Sequence, residues 1–130
     1  MISNVNKKDY PTKNKKISLI IGTLNIISVR GNRLELACST LQKKNVDIAI
    51  LTETKLNGFH TVNSFGYQIW ASKCNNINQG GIALVHKESD NWHLEGIKMI
   101  NQNILQGTLI FGNKRFNIIG TYSPPSNSMI

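Results

Sequence analysis

Cysteine is scarce, and the two present, Cys38 and Cys74, lie far apart. They offer neither a disulfide framework nor the close spacing of a metal-binding set, and they fit a reducing compartment. Long apolar runs are missing as well. Nothing before residue 17 could serve as the apolar core of a signal peptide, and Ile17 to Ile27 is too short and too interrupted to span a bilayer. A soluble, intracellular protein is the expectation. Acid is in short supply: seven Asp and Glu face fifteen Lys and Arg, for a formal net charge of +8. That balance favours an anionic partner, either nucleic acid or an acidic membrane surface. No internal repeat is visible, and the length of 130 residues sets one domain or part of one.

The charge is unevenly spread. Lys7, Lys8, Lys13, Lys15 and Lys16 against Asp9 place +4 of the excess in residues 1–16, a stretch poor in apolar residues that reads as a disordered basic leader. Its lysines are scattered rather than blocked, which suits a solvated tail better than a nucleic-acid arm or an import signal.

The segment from Ile17 to Glu53 organises the rest of the chain. Ile17 to Asn25 is apolar on both faces, as a strand covered on both sides should be. Asn32 with Glu35 three residues later forms a capping-box pattern, and Leu34, Ala37, Cys38 and Leu41 give the apolar stripe of an amphipathic helix. Lys43 and Lys44 suit its last turn. Asp47 to Leu51 is the next buried strand, ending in Thr52-Glu53. A short crossover helix between two buried strands implies that they run parallel, so Asn25 and Glu53 emerge at one edge of the sheet. Neighbouring strands would bring their backbones within about 4.8 Å there, at the edge where open α/β sheets bind ligands.

Asn57-Gly58 then reads as a turn, Phe65 to Ala71 as a strand, Asn75 to Gly81 as a polar loop, and Ile82 to His86 as a buried strand, the last two strands forming a hairpin. Trp92 to Ile100 suits a further strand. Ile104 to Phe111 and Arg115 to Tyr122 flank a Gly112-Asn113-Lys114 hairpin loop, and Pro124-Pro125 stops the last strand.

The candidates for chemistry sit at strand ends, and each has two readings. Glu53 suits a ligand for a hard cation such as Mg²⁺, or a loop residue paired with Lys55. Asn25 could orient a ligand or a carboxylate, or satisfy a turn. Tyr122 could donate its hydroxyl to a phosphate, or cap a sheet edge. His60, His86 and His93 share no spacing and read as surface or strand residues, and Gly80-Gly81 lacks the strand-to-helix setting of a phosphate loop.

Four segments in order carry a resemblance: Gly22-Thr23-Leu24-Asn25, Asp47 to Lys55, Gly80-Gly81-Ile82-Ala83-Leu84-Val85, and Ile118 to Pro125. Jointly they resemble the endonuclease/exonuclease/phosphatase superfamily, on the side of the abasic-site endonucleases and the endonucleases of LINE-type retrotransposons. The resemblance implies an α/β fold, the amino-terminal portion of a two-sheet α/β sandwich of the DNase I-like kind. It covers residues 17–126 as a partial domain, with 1–16 as leader and 127–130 as a truncated tail. It further implies Mg²⁺-dependent phosphodiester hydrolysis of DNA, with Glu53 as principal metal ligand, Asn25 beside it, Tyr122 on the scissile phosphate and Lys55 on the nucleic-acid backbone. Thr52 stands where many members have Gln. The family's later motifs, an Asp-x-Asn, a further Asp and an Asp-His pair, have no counterpart before Ile130, so the chain reads as half a domain, inactive alone and prone to self-association through uncovered sheet. The alternatives are a basic nucleic-acid-binding remnant without catalysis, and a phosphatase or lipid phosphodiesterase of the same superfamily.

Overall fold

The apolar character of Ile48-Ala49-Ile50-Leu51 on both faces is answered by two different partners. In the computed structural model, which describes residues 18–26, 32–62, 65–73 and 80–123, these residues form β2 (Ile48–Thr52), parallel to β1 (Ile21–Asn25). The connection carries helix α1 (Arg33–Lys43). β3 (Asn57–Val62), β4 (Gln68–Lys73) and β5 (Ile82–His86) complete a five-stranded sheet of order β1-β2-β5-β4-β3, antiparallel beyond the first pair. β6 (Trp92–Asn101), β7 (Ile104–Phe111) and β8 (Lys114–Thr121) form a three-stranded antiparallel sheet.

Successive strand residues point to opposite faces, and the two cores follow that alternation. Ala49, Leu51, Ala83 and Val85 pack with Ala37, Cys38 and Leu41 of α1 and with Tyr67 and Ile69. Ile48, Ile50, Ile82 and Leu84 turn the other way and meet Trp92, Leu105 and Leu109 of the second sheet. Each fully buried Ile or Leu of this kind stabilises by about 1.5–3 kcal/mol relative to exposure. The result is a helix, sheet and sheet in layers.

Local signals succeed and fail for identifiable reasons. Asn32 occupies the N-cap position of α1 but makes no side-chain cap bond, so the capping box predicted with Glu35 is not formed. The first turn is closed by Leu36 N–H donating to the Asn32 carbonyl at 2.9 Å. The helix stops in a Schellman arrangement, with Asn45 at φ +56, Asn45 N–H on the Gln42 carbonyl and Val46 N–H on the Leu41 carbonyl. Buried Val46 and Leu41 supply the accompanying apolar contact. Tyr67 fastens the same corner, its hydroxyl donating to the Val46 carbonyl at 2.7 Å. Burial, helped by Cys38 and Asp47, pushes that phenol up to about 12.

Three expectations are corrected. β1 is not covered on both sides: it is an edge strand whose residues alternate between exposed and half-buried, with Ile21 54% exposed. Asn57-Gly58 is no turn but the start of β3; Gly58 keeps φ +64, and a Cβ there would lie 3.1 Å from the Lys73 Cβ on the paired strand. β4 begins later than Phe65, because Gly66 at φ +84 bends the chain first. Residues 1–16, Cys74, Pro124-Pro125 and 127–130 lie outside the described residues.

Candidate active site

The parallel pairing places Asn25 opposite Thr52, and Ile26 N–H donates to the Thr52 carbonyl at 3.1 Å. Past Thr52 the backbone turns sharply. Glu53 and Lys55 both adopt left-handed conformations, φ +57 and +55. Such values cost roughly 1–3 kcal/mol each for a residue with a side chain and persist only where the surroundings enforce them. Here Thr54 N–H donates to the Gly81 carbonyl at 3.3 Å and Lys55 N–H to the Gly80 carbonyl at 3.1 Å, extending the β2–β5 pairing through a glycine pair that itself has positive φ. Thr54 is fully buried, and its hydroxyl oxygen has no hydrogen-bond partner.

This turn presents the Glu53 carboxylate at the carboxyl edge of the parallel pair. Asn25 Nδ2 donates a hydrogen bond to Glu53 Oε2. The Tyr122 hydroxyl bonds the same carboxylate from the end of β8, and burial, with the charge and hydrogen bond of Glu53, holds the phenol above its ordinary range. Donors from both sheets therefore converge on one acid. Lys55 shares the loop, its backbone tied to Gly80.

Two clefts flank the cluster. One, of about 390 Å³, runs between the sheets, with Asn25 and Thr52 on one wall and Gly120 and Thr121 on the other. The second, of about 510 Å³, is lined by Asn101, Gln102, Asn103 and Tyr122 among others. Gly120 lies where the sheets meet, and a Cβ there would fall 2.9 Å from Ile50 Cδ1.

The histidines lie elsewhere. His86 sits opposite Ile48, at the other end of β2 from Glu53. It accepts the Trp70 Nε1–H bond at 3.0 Å, and burial holds it below the usual histidine range. His60 stacks on Trp70 with ring centroids 3.7 Å apart, and His93 bonds Glu95 at 3.3 Å. Among the described residues no three His, Cys, Asp or Glu side chains cluster as a metal site. The oxygen donors of Glu53 and Asn25 nonetheless fit Mg²⁺, which is commonly held by one or two carboxylates and otherwise by water and substrate phosphate. Asn103 was missed by sequence reasoning: it links the rim segments through its side chain and carbonyl, and only the polar run Asn101-Gln102-Asn103 between two strands hinted at it.

A mixed α/β arrangement of two packed sheets, with polar residues gathered at the strand ends, defines the class. The chain resembles an AP endonuclease from Archaeoglobus fulgidus, with a TM-score of 0.61 and 21% identity over 81% of this chain and 41% of that one. It is also 26% identical to Craniofacial development protein 2 of Bos taurus over 106 residues, 80% of this chain and 18% of the relative. No protein-family profile matches. The fold is endonuclease/exonuclease/phosphatase-like, of the DNase I kind, and the chain spans less than half the length of each of these two proteins. Among the described residues no helix is long and apolar enough to cross a membrane.

Proposed function

We propose that Asn25, Glu53 and Tyr122 form the metal- and phosphate-binding part of a Mg²⁺-dependent phosphodiesterase that hydrolyses DNA, in the manner of an abasic-site or LINE-type retrotransposon endonuclease. The observation that carries this reading is the convergence of an amide and a phenol, from different sheets, on one strained strand-end carboxylate. A solved AP endonuclease of the same fold and the net charge of +8 support it.

Glu53 would ligate the metal, with Asn25 fixing its carboxylate and adding an oxygen donor. Bound Mg²⁺ supplies charge stabilisation at the phosphoryl oxygens. Tyr122, whose phenol is held protonated well above neutral pH, would donate to a phosphate oxygen. Lys55 adds a cation for the DNA backbone. His60, His86 and His93 are bonded away from Glu53, to Gln68, Trp70 and Glu95, so the described residues give it no histidine for acid-base catalysis, a help worth about 10² to 10⁴ in rate. The chain alone is therefore expected to bind metal and DNA phosphate but to turn over little. Ile21, Phe116 and Ile119, exposed on edge strands, support self-association, which sedimentation would reveal.

The test is nicking of supercoiled plasmid. Little nicking is expected from the chain alone. Mg²⁺-dependent nicking should appear when the part of the AP endonuclease outside the matched 41% is supplied in trans, and Glu53→Gln should abolish it. Nicking that survives Glu53→Gln or EDTA would overturn the reading. The strong basic charge favours a second reading, a binder without catalysis. It predicts salt-sensitive DNA binding in EDTA, indifferent to Glu53→Gln, and no nicking under either condition.

A further inference from the structure

The turn between β6 and β7 is bonded into several other segments. The Asn103 side-chain Oδ1 accepts the Gly81 N–H at 3.2 Å, and its backbone carbonyl accepts the Tyr122 N–H at 2.9 Å. Its own N–H is donated to Asn101 Oδ1 at 2.7 Å, which closes the turn. One residue earlier, the Gln102 carbonyl accepts the Ser72 hydroxyl at 2.9 Å, and the same Ser72 oxygen accepts the Ile82 N–H at 3.0 Å. The turn thus grips β4, the start of β5 and the end of β8 together.

Gly80-Gly81 passes that grip onward. Their carbonyls receive the N–H groups of Lys55 and Thr54, the two residues after Glu53. Gly80 lies hard against the turn, and a Cβ there would come within 3.0 Å of Asn103 Oδ1. With Glu53 and Lys55 left-handed, the loop sits in a conformation that relaxes unless neighbouring groups hold it. The Thr54 hydroxyl supplies no hold, being buried without a partner.

Asn103 therefore touches the Tyr122 strand end directly and the Glu53 loop through one pair of glycines. We propose that Asn103 is a positioning residue that sets the spacing between the Glu53 carboxylate and the Tyr122 hydroxyl. Its importance for catalysis rests on the function proposed above. The side chain is the decisive part. Asn101 already closes the turn, whereas the Asn103 amide leaves its own hairpin and crosses to the other sheet.

The test compares Asn103→Ala, which removes the acceptor, with Asn103→Asp, which keeps an oxygen in its place. In metal-free protein, residue-resolved amide hydrogen exchange should speed up at Gly81, Thr54 and Lys55 in the alanine variant by roughly two- to twelve-fold, the factor set by one ordinary hydrogen bond. Ile50 and Leu84 in the core should exchange as before, and Asn103→Asp should restore the slow rates. Mn²⁺ affinity should weaken severalfold in the alanine variant and recover in the aspartate one. Unchanged exchange at Thr54 and Lys55, or equal acceleration at Ile50 and Leu84, would overturn the proposal. Exchange that loosens locally while Glu53→Gln leaves Mn²⁺ binding intact would support the coupling and refute the metal site instead.

Discussion

Gly120 gives the sharpest handle on how the second sheet places Tyr122. It is buried, pairs with Leu105 in β7, and stands two residues before Tyr122. A methyl group there would meet three atoms of the Ile50 side chain, at 2.9, 3.2 and 3.3 Å. Its φ is not in the left-handed region, so the penalty of Gly120→Ala comes from overpacking, which typically costs about 1–3 kcal/mol. Ile50→Val removes Cδ1, the atom at 2.9 Å, and by itself costs about 0.5–1.5 kcal/mol. The added methyl would take up space vacated by Cδ1, so the double variant should be less destabilised than the sum of the singles, by roughly 0.5 kcal/mol or more. Urea midpoints of the four proteins measure this. Strict additivity, or a Gly120→Ala chain as stable as the parent, would refute the claim that the sheets touch there.

Three further outcomes are expected. Because Glu53 is left-handed, Glu53→Gly should be more stable than Glu53→Ala by about 1–2 kcal/mol, while both lose the carboxylate; equal urea midpoints would show that the turn is not strained. Burial depresses the His86 pKa, whereas the unfolded ring titrates near about 6.5. The unfolded chain thus takes up the proton first, so this contribution is full above about 6.5 and is lost as pH falls from there toward the folded value. His86→Gln should flatten that acid limb in denaturation midpoints measured against pH. Deleting residues 1–16, which carry half of the excess charge, should lower duplex DNA affinity and reduce the log-log salt slope by roughly 0.9 for each phosphate no longer neutralised; an unchanged slope would make the leader a bystander.

The layered core was legible because β2 and β5 are apolar at every position but their ends, which a sheet covered on both faces requires. The short helical crossover then fixed parallel pairing, and with it the common edge of Asn25 and Glu53. β1 shows the limit of that reasoning. The apolar run from Ile17 to Asn25 reads as doubly buried, yet the strand is an edge, and strand position depends on partners distant in the chain. Gly58 reads as a turn because local pattern does not reveal that the Lys73 backbone approaches it. The left-handed Glu53 and Lys55 carry no composition signal, since neither Glu nor Lys favours that conformation; their loop is held by the carbonyls of Gly80 and Gly81, far along the chain. Asn103 escaped for the same reason, as its side chain accepts the Gly81 N–H on the other sheet.

Glu53, held by Asn25 and Tyr122, is the proposed divalent-cation site. Titrating Mn²⁺ into ¹⁵N-labelled protein tests it most directly, because paramagnetic broadening reports position at each amide. Selective loss of the Asn25, Glu53, Thr54 and Tyr122 signals is expected at low Mn²⁺, reversed by excess Mg²⁺ and abolished in Glu53→Gln with the remaining spectrum unchanged. Broadening centred elsewhere, or the same pattern in Glu53→Gln, would contradict it.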